Sequence, residues 1–248
     1  MVKKISFDEL PSDLPECVAC IGFFDSLHRG HQQLICRCRE EADTLGLPAA
    51  LICFDKDPLE VISGKQQLHI LSYNERISRI FESGIDRILM FEFDERFMNL
   101  DHITFVSDYL NRMPIRKLIC GFDFNFGYHG LGNSDTLKQY GSFETIVIPQ
   151  ISFYQLKISS SRIKKEISRG NLRLAERLLG YKYYLDVEVI KTQKNAEKWL
   201  IYAKCPDPCK VLPPAGSYLD DSVIIKGDLF QIFSTEKKEP GDTFRLEF

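Results

Sequence analysis

Short runs of apolar residues recur through the first three quarters of the chain, and stretches of helical spacing separate them. After His31, the apolar positions 34, 35, 38, 42 and 45 follow a helical period, and Gly46 stands where that helix should end. Runs that are apolar on both faces are typical of strands in a parallel sheet covered by helices. The pattern predicts an α/β domain with a parallel sheet and right-handed crossovers, whose strands are residues 17–21, 49–54, 87–93, 117–120 and 144–148.

Two further helices are predicted between these strands. Ser72 and Glu75 have capping-box spacing and Gly84 follows as an end signal, while Asp101 is placed to cap the next helix. Nearby aromatic residues are more often core than site, so we assign to packing Phe93, Phe97 and Phe105.

Beyond Tyr184 the pattern changes to short strand-like runs broken by proline and glycine. The runs are residues 186–191, 199–204, 222–225, 229–233 and 243–248. They predict a small β-rich domain or partial barrel. We therefore expect two domains, residues 1–185 and residues 186–248.

Composition adds few constraints and excludes some classes of partner. The 248 residues are 44% hydrophobic and carry a formal net charge of -3, so no basic footprint for nucleic acid is present. No signal-peptide core and no run long enough to cross a bilayer is found, so we expect a cytoplasmic protein with no membrane partner. The sequence does not indicate the oligomeric state.

Eight cysteines in such a protein are expected to be reduced thiols. Cys17 and Cys20 have C-x-x-C spacing, and Cys205 and Cys209 could complete a zinc site. A strand points alternate side chains to opposite faces, which disfavours Cys17 and Cys20 as paired ligands. Buried small hydrophobes are the favoured interpretation.

The candidate chemistry begins where the first buried strand ends. The strand ends at Gly22, and residues 23–31 then open a helix whose first turn carries His28 and His31 around Gly30. Two imidazoles three residues apart share a helix face and can hold one phosphate, helped by the free amides of the helix N-terminus. The glycines are expected to permit close approach or unusual φ angles.

Two later segments add to this picture. In residues 121–127 three aromatic residues alternate between glycines, a pattern that suits a flat ligand, with a small core under the loop as the alternative. Residues 157–164 place three serines at a predicted helix start between cations, which suits an incoming phosphate. An ordinary serine cap would leave the basic flanks unexplained.

Together these segments resemble the FMN adenylyltransferase module of bacterial FAD synthetases, the bifunctional riboflavin kinase/FMN adenylyltransferase family. The resemblance rests on H-x-G-H at residues 28–31, on residues 54–58, 121–127, 157–164 and 170–180, and it extends through Tyr184. It implies a Rossmann-like nucleotidyltransferase domain. Departures from the family pattern are Ser26, Lys56, Asp57, Ser161 and Lys164.

The resemblance implies transfer of AMP from ATP to FMN, giving FAD and pyrophosphate, with Mg²⁺ bridging phosphates and Asp123 as a candidate ligand. It implies catalytic roles for His28, His31, Ser160, Arg162 and Lys164. The residues that it implies for ATP binding are Gly22, Phe24, Asp25, His28, His31, Asp123, Lys157, Ser159, Ser160, Ser161 and Arg162. The residues that it implies for flavin binding are Phe54, Pro58, Phe124 and Phe126.

In that family a riboflavin kinase barrel follows the module. Its glycine-rich loop and Pro-Thr-Ala-Asn motif are absent from this sequence, and residues 214–218 match a later kinase segment only faintly. We therefore expect no kinase activity. Two alternatives stay open: a related transferase acting on another phosphate-bearing acceptor, such as phosphopantetheine or nicotinamide mononucleotide, and a non-catalytic flavin or nucleotide binder.

Overall fold

The computed structural model describes residues 1–6, 14–153 and 156–248. The N-terminal segment in which we expect no signal peptide lies partly outside them. The described residues form two compact units, one of residues 1–67 and 73–157, the other of residues 68–72 and 158–248.

A six-stranded parallel sheet is the centre of the first unit, as the apolar runs predict. The strand order is β1-β4-β3-β2-β5-β6, and the central strands β2 and β3 are buried along their whole length. The α/β prediction is thus confirmed; β1 was not predicted. The strands are β1 Val2–Ile5, β2 Cys17–Ile21, β3 Ala49–Phe54, β4 Arg87–Phe91, β5 Ile115–Gly121 and β6 Glu144–Ile148, with a β7–β8 hairpin of Ser152–Phe153 and Leu156–Lys157.

Helices connect the strands largely where the spacing predicts them. In α1 the predicted apolar face is buried up to Ala42, while Leu45 lies exposed in the last turn, and Gly46 ends the helix with a φ of 64°. Asp101 caps α5 as expected, and its carboxylate accepts from the amides of Ile103 and Thr104. The helices are α1 Arg29–Leu45, α2 Pro58–Ser63, α3 Tyr73–Glu82, α4 Glu95–Met98, α5 His102–Thr104, which continues through Phe105–Tyr109 and Leu110–Arg112, and α6 Ser134–Tyr140.

An aromatic cluster fills the core beside β3 and β4. The Phe91 ring lies within 6.4 Å, between ring centroids, of four other aromatic rings, which belong to Phe54, Phe97, Phe105 and Tyr109. The assignment of Phe97 and Phe105 to packing is confirmed, and Phe93 packs against the same core.

The second unit has a six-stranded antiparallel sheet in the order β11-β12-β13-β10-β9-β14, which confirms the predicted β-rich region. All five predicted strands are present, and β11 is added. The elements are α7 Ser160–Ser168, α8 Leu172–Leu179, β9 Tyr184–Asn195, β10 Lys198–Lys204, β11 Gly216–Tyr218, β12 Val223–Lys226, β13 Leu229–Ser234 and β14 Thr243–Glu247.

The compact units divide after Lys157 instead of after residue 185. The helices α7 and α8 pack on each other, and the Tyr183 amide donates to the Glu176 carboxylate, so these helices belong with the β-rich region. Residues 68–72 also belong to this unit. The His69 amide donates to the Cys209 carbonyl, and the Val211 amide donates to the His69 carbonyl. The expected division into residues 1–185 and 186–248 stays a prediction about domains.

The described residues include no helix with the length and apolar character that a membrane crossing requires. They also include no cluster of three or more histidine, cysteine or acidic side chains placed to hold a metal. All eight cysteines are free thiols. Burial raises the pKa of the Cys17 thiol to about 12, so this residue is a poor source of thiolate.

Replacing Phe91 by alanine should remove the centre of the aromatic cluster. Because the ring is fully buried, the loss should lower the free energy of unfolding by about 3–5 kcal/mol. Urea unfolding of the whole chain measures this, with the exposed Tyr140→Ala variant as the control, expected to change stability by about 0.5 kcal/mol or less. A Phe91→Ala loss no larger than that of the control would contradict this core.

Candidate functional site

The candidate site lies at the carboxyl edge of the parallel sheet, where the strand order changes direction. From β2 the chain adds β3 on one side, and β5 pairs with the other side of β2. Parallel strands end at the same edge, so the loops after β2, β3 and β5 are neighbours. Ligands of open α/β sheets bind at such a switch point.

The loop between β2 and α1 holds two bulky residues in a strained backbone conformation. Phe24 and Leu27 have φ angles of 55° and 46°, in the left-handed region that costs a non-glycine residue about 1–2 kcal/mol. Both side chains are buried, as are Asp25 and Ser26, so packing holds the loop in this shape. The Phe24 ring is fully buried, so the nucleotide contact expected of Phe24 would be made by its backbone atoms.

His28 is the N-cap of α1, so the helix begins at Arg29 and the expected helix start within residues 23–28 is wrong. Its Nδ1 accepts a hydrogen bond from the His31 backbone N–H at 3.2 Å. An imidazole nitrogen that accepts carries no proton, so neutral His28 has its proton on Nε2. The cap therefore fixes the tautomer and makes Nε2–H the donor available to a ligand.

His31 stacks on His28, with ring centroids 3.8 Å apart and an interplanar angle of 10°. The other neighbour of the His31 ring is Phe24, at 5.1 Å between centroids. The Nδ1 atom of His31 is buried and has no hydrogen-bond partner among the described residues. An unsatisfied buried polar atom is uncommon and is expected where a ligand completes the bonding.

Burial lowers the pKa of both imidazoles. For His28 burial outweighs the opposing effects of Asp25 and Asp123. For His31 the pKa lies well below its usual 6.5, because of burial and, second, the neighbouring His28. The rings are therefore neutral near pH 7, and they offer hydrogen-bond donors instead of full positive charges.

The two glycines of this segment leave space for neighbouring rings, Gly30 for the His28 imidazole and Gly22 for the Phe24 ring. A Cβ on Gly30 would lie 2.9 Å from Cε1 and 3.1 Å from Nδ1 of His28, so only glycine leaves room for the capping ring. A Cβ on Gly22 would lie 3.2 Å from the Phe24 ring. The expected unusual φ angle is wrong for both glycines, because neither lies in the left-handed region; close approach is what they provide.

The loop after β5 brings an ion pair to the same edge. Lys157 Nζ contacts the Asp123 carboxylate and lies 5.5 Å from the centroid of the Phe122 ring. Both charged side chains are largely exposed, as is Phe122. Two residues that were predicted to bind the nucleotide thus neutralise each other here.

The aromatic residues of this loop divide between the core and the surface. Phe126 is buried, packs on Phe105, and stacks on Phe124 at 5.4 Å between centroids. The burial of Phe126 fits the alternative of a small core under the loop, and its predicted flavin contact stays a prediction. Phe124 packs partly buried on the same core.

The other predicted flavin contacts lie after β3. The Phe54 ring belongs to the buried aromatic cluster, and its predicted flavin contact stays a prediction. Pro58 is the first residue of α2, whose N-cap is Asp57; the Asp57 carboxylate accepts from the Leu59 amide at 2.9 Å. The departure at Asp57 is thus explained by helix capping.

The serine-rich segment begins α7, as predicted, and it lies in the second unit. Ser159 is the N-cap, and its hydroxyl accepts from the Arg162 amide at 3.4 Å. Ser160 and Ser161 occupy the first turn, and the buried face of the helix is formed by Ile163 and Ile167. The expected grip of Ser160, Arg162 and Lys164 on a phosphate stays a prediction.

Sequence reasoning missed one residue at the edge of the sheet. Arg76 lies on the buried face of α3, one turn before Ile80, and is only 4% exposed. Its guanidinium reaches the backbone at the ends of two neighbouring strands. The signal available in the sequence was an arginine on the apolar face of a predicted helix.

Comparison with known proteins identifies relatives for most of the chain. Residues 10–162 match the family described as FAD synthetase. The bifunctional riboflavin kinase/FMN adenylyltransferase of Listeria monocytogenes is 32% identical over 182 residues, which cover 72% of this chain and 58% of the relative. The proteins of the same name from Pseudomonas fluorescens and Escherichia coli K12 are each 31% identical, covering 73% and 70% of this chain and 60% and 57% of theirs.

The matched region is therefore less than two thirds of the length of these relatives. A solved structure described as a macrolide-efflux protein from Streptococcus pneumoniae superposes with a TM-score of 0.84 at 23% identity. It covers 99% of this chain and 89% of its own. At that identity the likeness shows a shared fold.

The lowered pKa values predict how stability depends on pH. The unfolded chain binds protons at its histidines below about pH 6.5, whereas folded His28 and His31, whose pKa values are lower, bind fewer at the same pH. The free energy of unfolding should therefore fall on acidification below that pH. The slope has an upper limit of about 1.4 kcal/mol per pH unit for each histidine.

Urea unfolding of the wild type and of His31→Gln at about pH 7.5 and 5.5 measures this slope. The variant should lose less stability over that interval, because one of the two histidines is gone. Equal losses in both proteins would show that His31 titrates normally in the folded chain.

Proposed function

This chain belongs to the FAD synthetase family, and from that membership we propose that it transfers the AMP moiety of ATP to FMN, with FAD and pyrophosphate as products. The observation that carries the proposal is the stacked histidine pair that caps α1 at the switch point of the sheet. We expect the reaction to take place in the cytoplasm, with small-molecule substrates.

The proposed step is an in-line displacement at phosphorus. A phosphate oxygen of FMN forms a bond to the α-phosphorus of ATP, and the bond from that phosphorus to the pyrophosphate oxygen breaks. The attacking oxygen is already an anion, so the enzyme needs no covalent intermediate and no general base. Its work is to position the two substrates and to stabilise the charge that develops on the phosphoryl oxygens.

The histidine pair suits the second task. The fixed tautomer of His28 directs an N–H donor away from the helix, and His31 has a buried nitrogen with no hydrogen-bond partner in the described part of the chain. Neutral donors held in place do not have to reorganise as charge develops on the phosphate. We propose that His28 and His31 bind oxygens of the ATP phosphates, and that Gly22 and Asp25 shape the loop that holds them.

Positive charge must then come from other residues. We propose that Lys157 exchanges Asp123 for a phosphate when ATP binds, since both side chains are exposed and an exposed ion pair contributes little to stability. The freed Asp123 carboxylate would suit Mg²⁺ that arrives with the triphosphate, because Mg²⁺ is often held by one carboxylate and by phosphate oxygens. We also propose that Ser160, Arg162 and Lys164, at the start of α7, bind phosphate.

The flavin side is proposed with fewer residues than the sequence suggested. Pro58 and the partly exposed face of Phe124 remain candidates, whereas the rings of Phe54 and Phe126 support these two from the core. Exposed Phe122 offers a further aromatic face beside Lys157.

The function is tested by incubating the protein with ATP, Mg²⁺ and FMN. Flavin fluorescence should decrease as FAD forms, and pyrophosphate should appear. Parallel reactions with phosphopantetheine, nicotinamide mononucleotide and riboflavin should give no product. His31→Ala should lower turnover by about tenfold or more with the fold retained. Tight flavin or ATP binding without turnover would favour a non-catalytic binding protein. Product from another acceptor would favour a related transferase that acts on that acceptor.

Gly30→Ala separates the role of the glycine from helix stability. Alanine is favoured over glycine in a helix by about 0.5–1 kcal/mol, so the variant should be nearly as stable as the wild type. The new methyl group would displace the His28 ring, so FAD formation should fall by about tenfold or more. Gln33→Ala, an exposed change in the same part of α1, is the control. Wild-type rates in Gly30→Ala would refute the role of the capping ring.

A further inference from the structure

Arg76 is a buried cation whose partners do not include a carboxylate. Its side chain lies on the inner face of α3 with Ile80, where an apolar residue would bury without the cost of removing a charge from water. Among the described residues, the structure pairs it with no acidic side chain. Buried arginines are usually paired, so this one requires another explanation.

The guanidinium bridges the ends of two neighbouring strands. One terminal nitrogen donates to the Phe23 carbonyl at 3.3 Å, just beyond β2, and the other donates to the Phe54 carbonyl at 3.0 Å, at the end of β3. The first carbonyl belongs to the loop that leads to His28. The second belongs to the segment that leads to Pro58 and α2. A planar fork can hold both carbonyls at a fixed separation.

Two aromatic rings and an unused donor complete the surroundings of Arg76. The guanidinium carbon lies 5.2 Å from the centroid of Phe23 and 5.8 Å from that of Tyr73, so the rings stabilise the charge in part. The Nε–H group is buried and has no acceptor among the described residues. The positive charge is therefore incompletely compensated beside a site that is expected to receive anions.

We propose that Arg76 is a positioning residue of the active site, which fixes the loop that bears the histidine pair relative to the segment on the flavin side. This inference rests on the proposed function. Positioning of this kind acts on the transition state, because the attacking and accepting phosphates must be aligned to within a fraction of an ångström. Both terminal nitrogens of Arg76 already donate to backbone carbonyls, so its role is argued through the two segments that it joins.

Lysine provides the informative substitution. Arg76→Lys keeps the charge but replaces the two-pronged fork with a single nitrogen, so it can hold one of the two carbonyls only weakly. Arg76→Met removes both the charge and the bridge. Arg79→Met, the same change elsewhere on α3, is the matched control.

For Arg76→Lys we expect kcat to fall by about tenfold to a hundredfold, while KM for ATP and for FMN changes by less than about threefold. Arg76→Met should be slower still, and Arg79→Met should match the wild type. Circular dichroism and urea unfolding identify the temperature at which each variant is folded, and the kinetics are measured there. Wild-type kcat in folded Arg76→Lys would overturn the proposal, as would a loss confined to KM.

A second measurement does not depend on turnover. The ring nitrogen resonances of His28 and His31, observed by NMR in the ligand-free protein, should shift in Arg76→Lys and stay unchanged in Arg79→Met, because only the first variant releases the loop. If the wild type makes no FAD, the proposed function fails while these resonances still decide whether Arg76 positions the loop. Resonances identical to those of the wild type would refute the positioning role.

Discussion

The hydrogen bond from the His31 amide to the His28 ring is the contact on which the candidate site depends. It ends the loop after β2, begins α1, and leaves the His28 proton on Nε2. A serine or aspartate at the same position would cap the helix equally well but would present no N–H to a ligand. The His28 ring therefore does two things at the edge of the sheet: Nδ1 caps the helix, and Nε2–H is a donor held in a fixed direction.

The surrounding residues keep this donor in place and neutral. Gly30 leaves the space that the ring occupies, and the burial of Phe24 and Leu27 holds the strained loop that leads to it. The same burial lowers the pKa of both imidazoles, so the histidines contribute oriented donors and very little charge. The cations near this loop in the first unit include exposed Lys157, which is paired with Asp123, and buried Arg76.

The second unit contains two helices, α7 and α8, that the sequence analysis expected in the first domain. The helices α7 and α8 pack together and against this unit, and residues 68–72 add a backbone connection to Val211. His69 reinforces that connection, because its Nε2 lies 2.6 Å from the Asp207 carboxylate. Ser159 caps α7 at the predicted helix start. The local sequence therefore fixes where this helix begins but not the unit to which it belongs.

The sequence by itself determined most elements of the fold, because apolar period and helix caps are local. The strands β2 and β3, the body of α1 and the α7 cap lie where pattern and spacing place them, whereas β1 and β11 were not predicted. Only the tertiary structure decided which aromatic rings are enclosed, since Phe54 and Phe126 have the same sequence signal whether they face a ligand or a core. It also decided the neutral state of the histidines and the buried position of Arg76. Those properties depend on what packs around each side chain from distant parts of the chain, which no local pattern records.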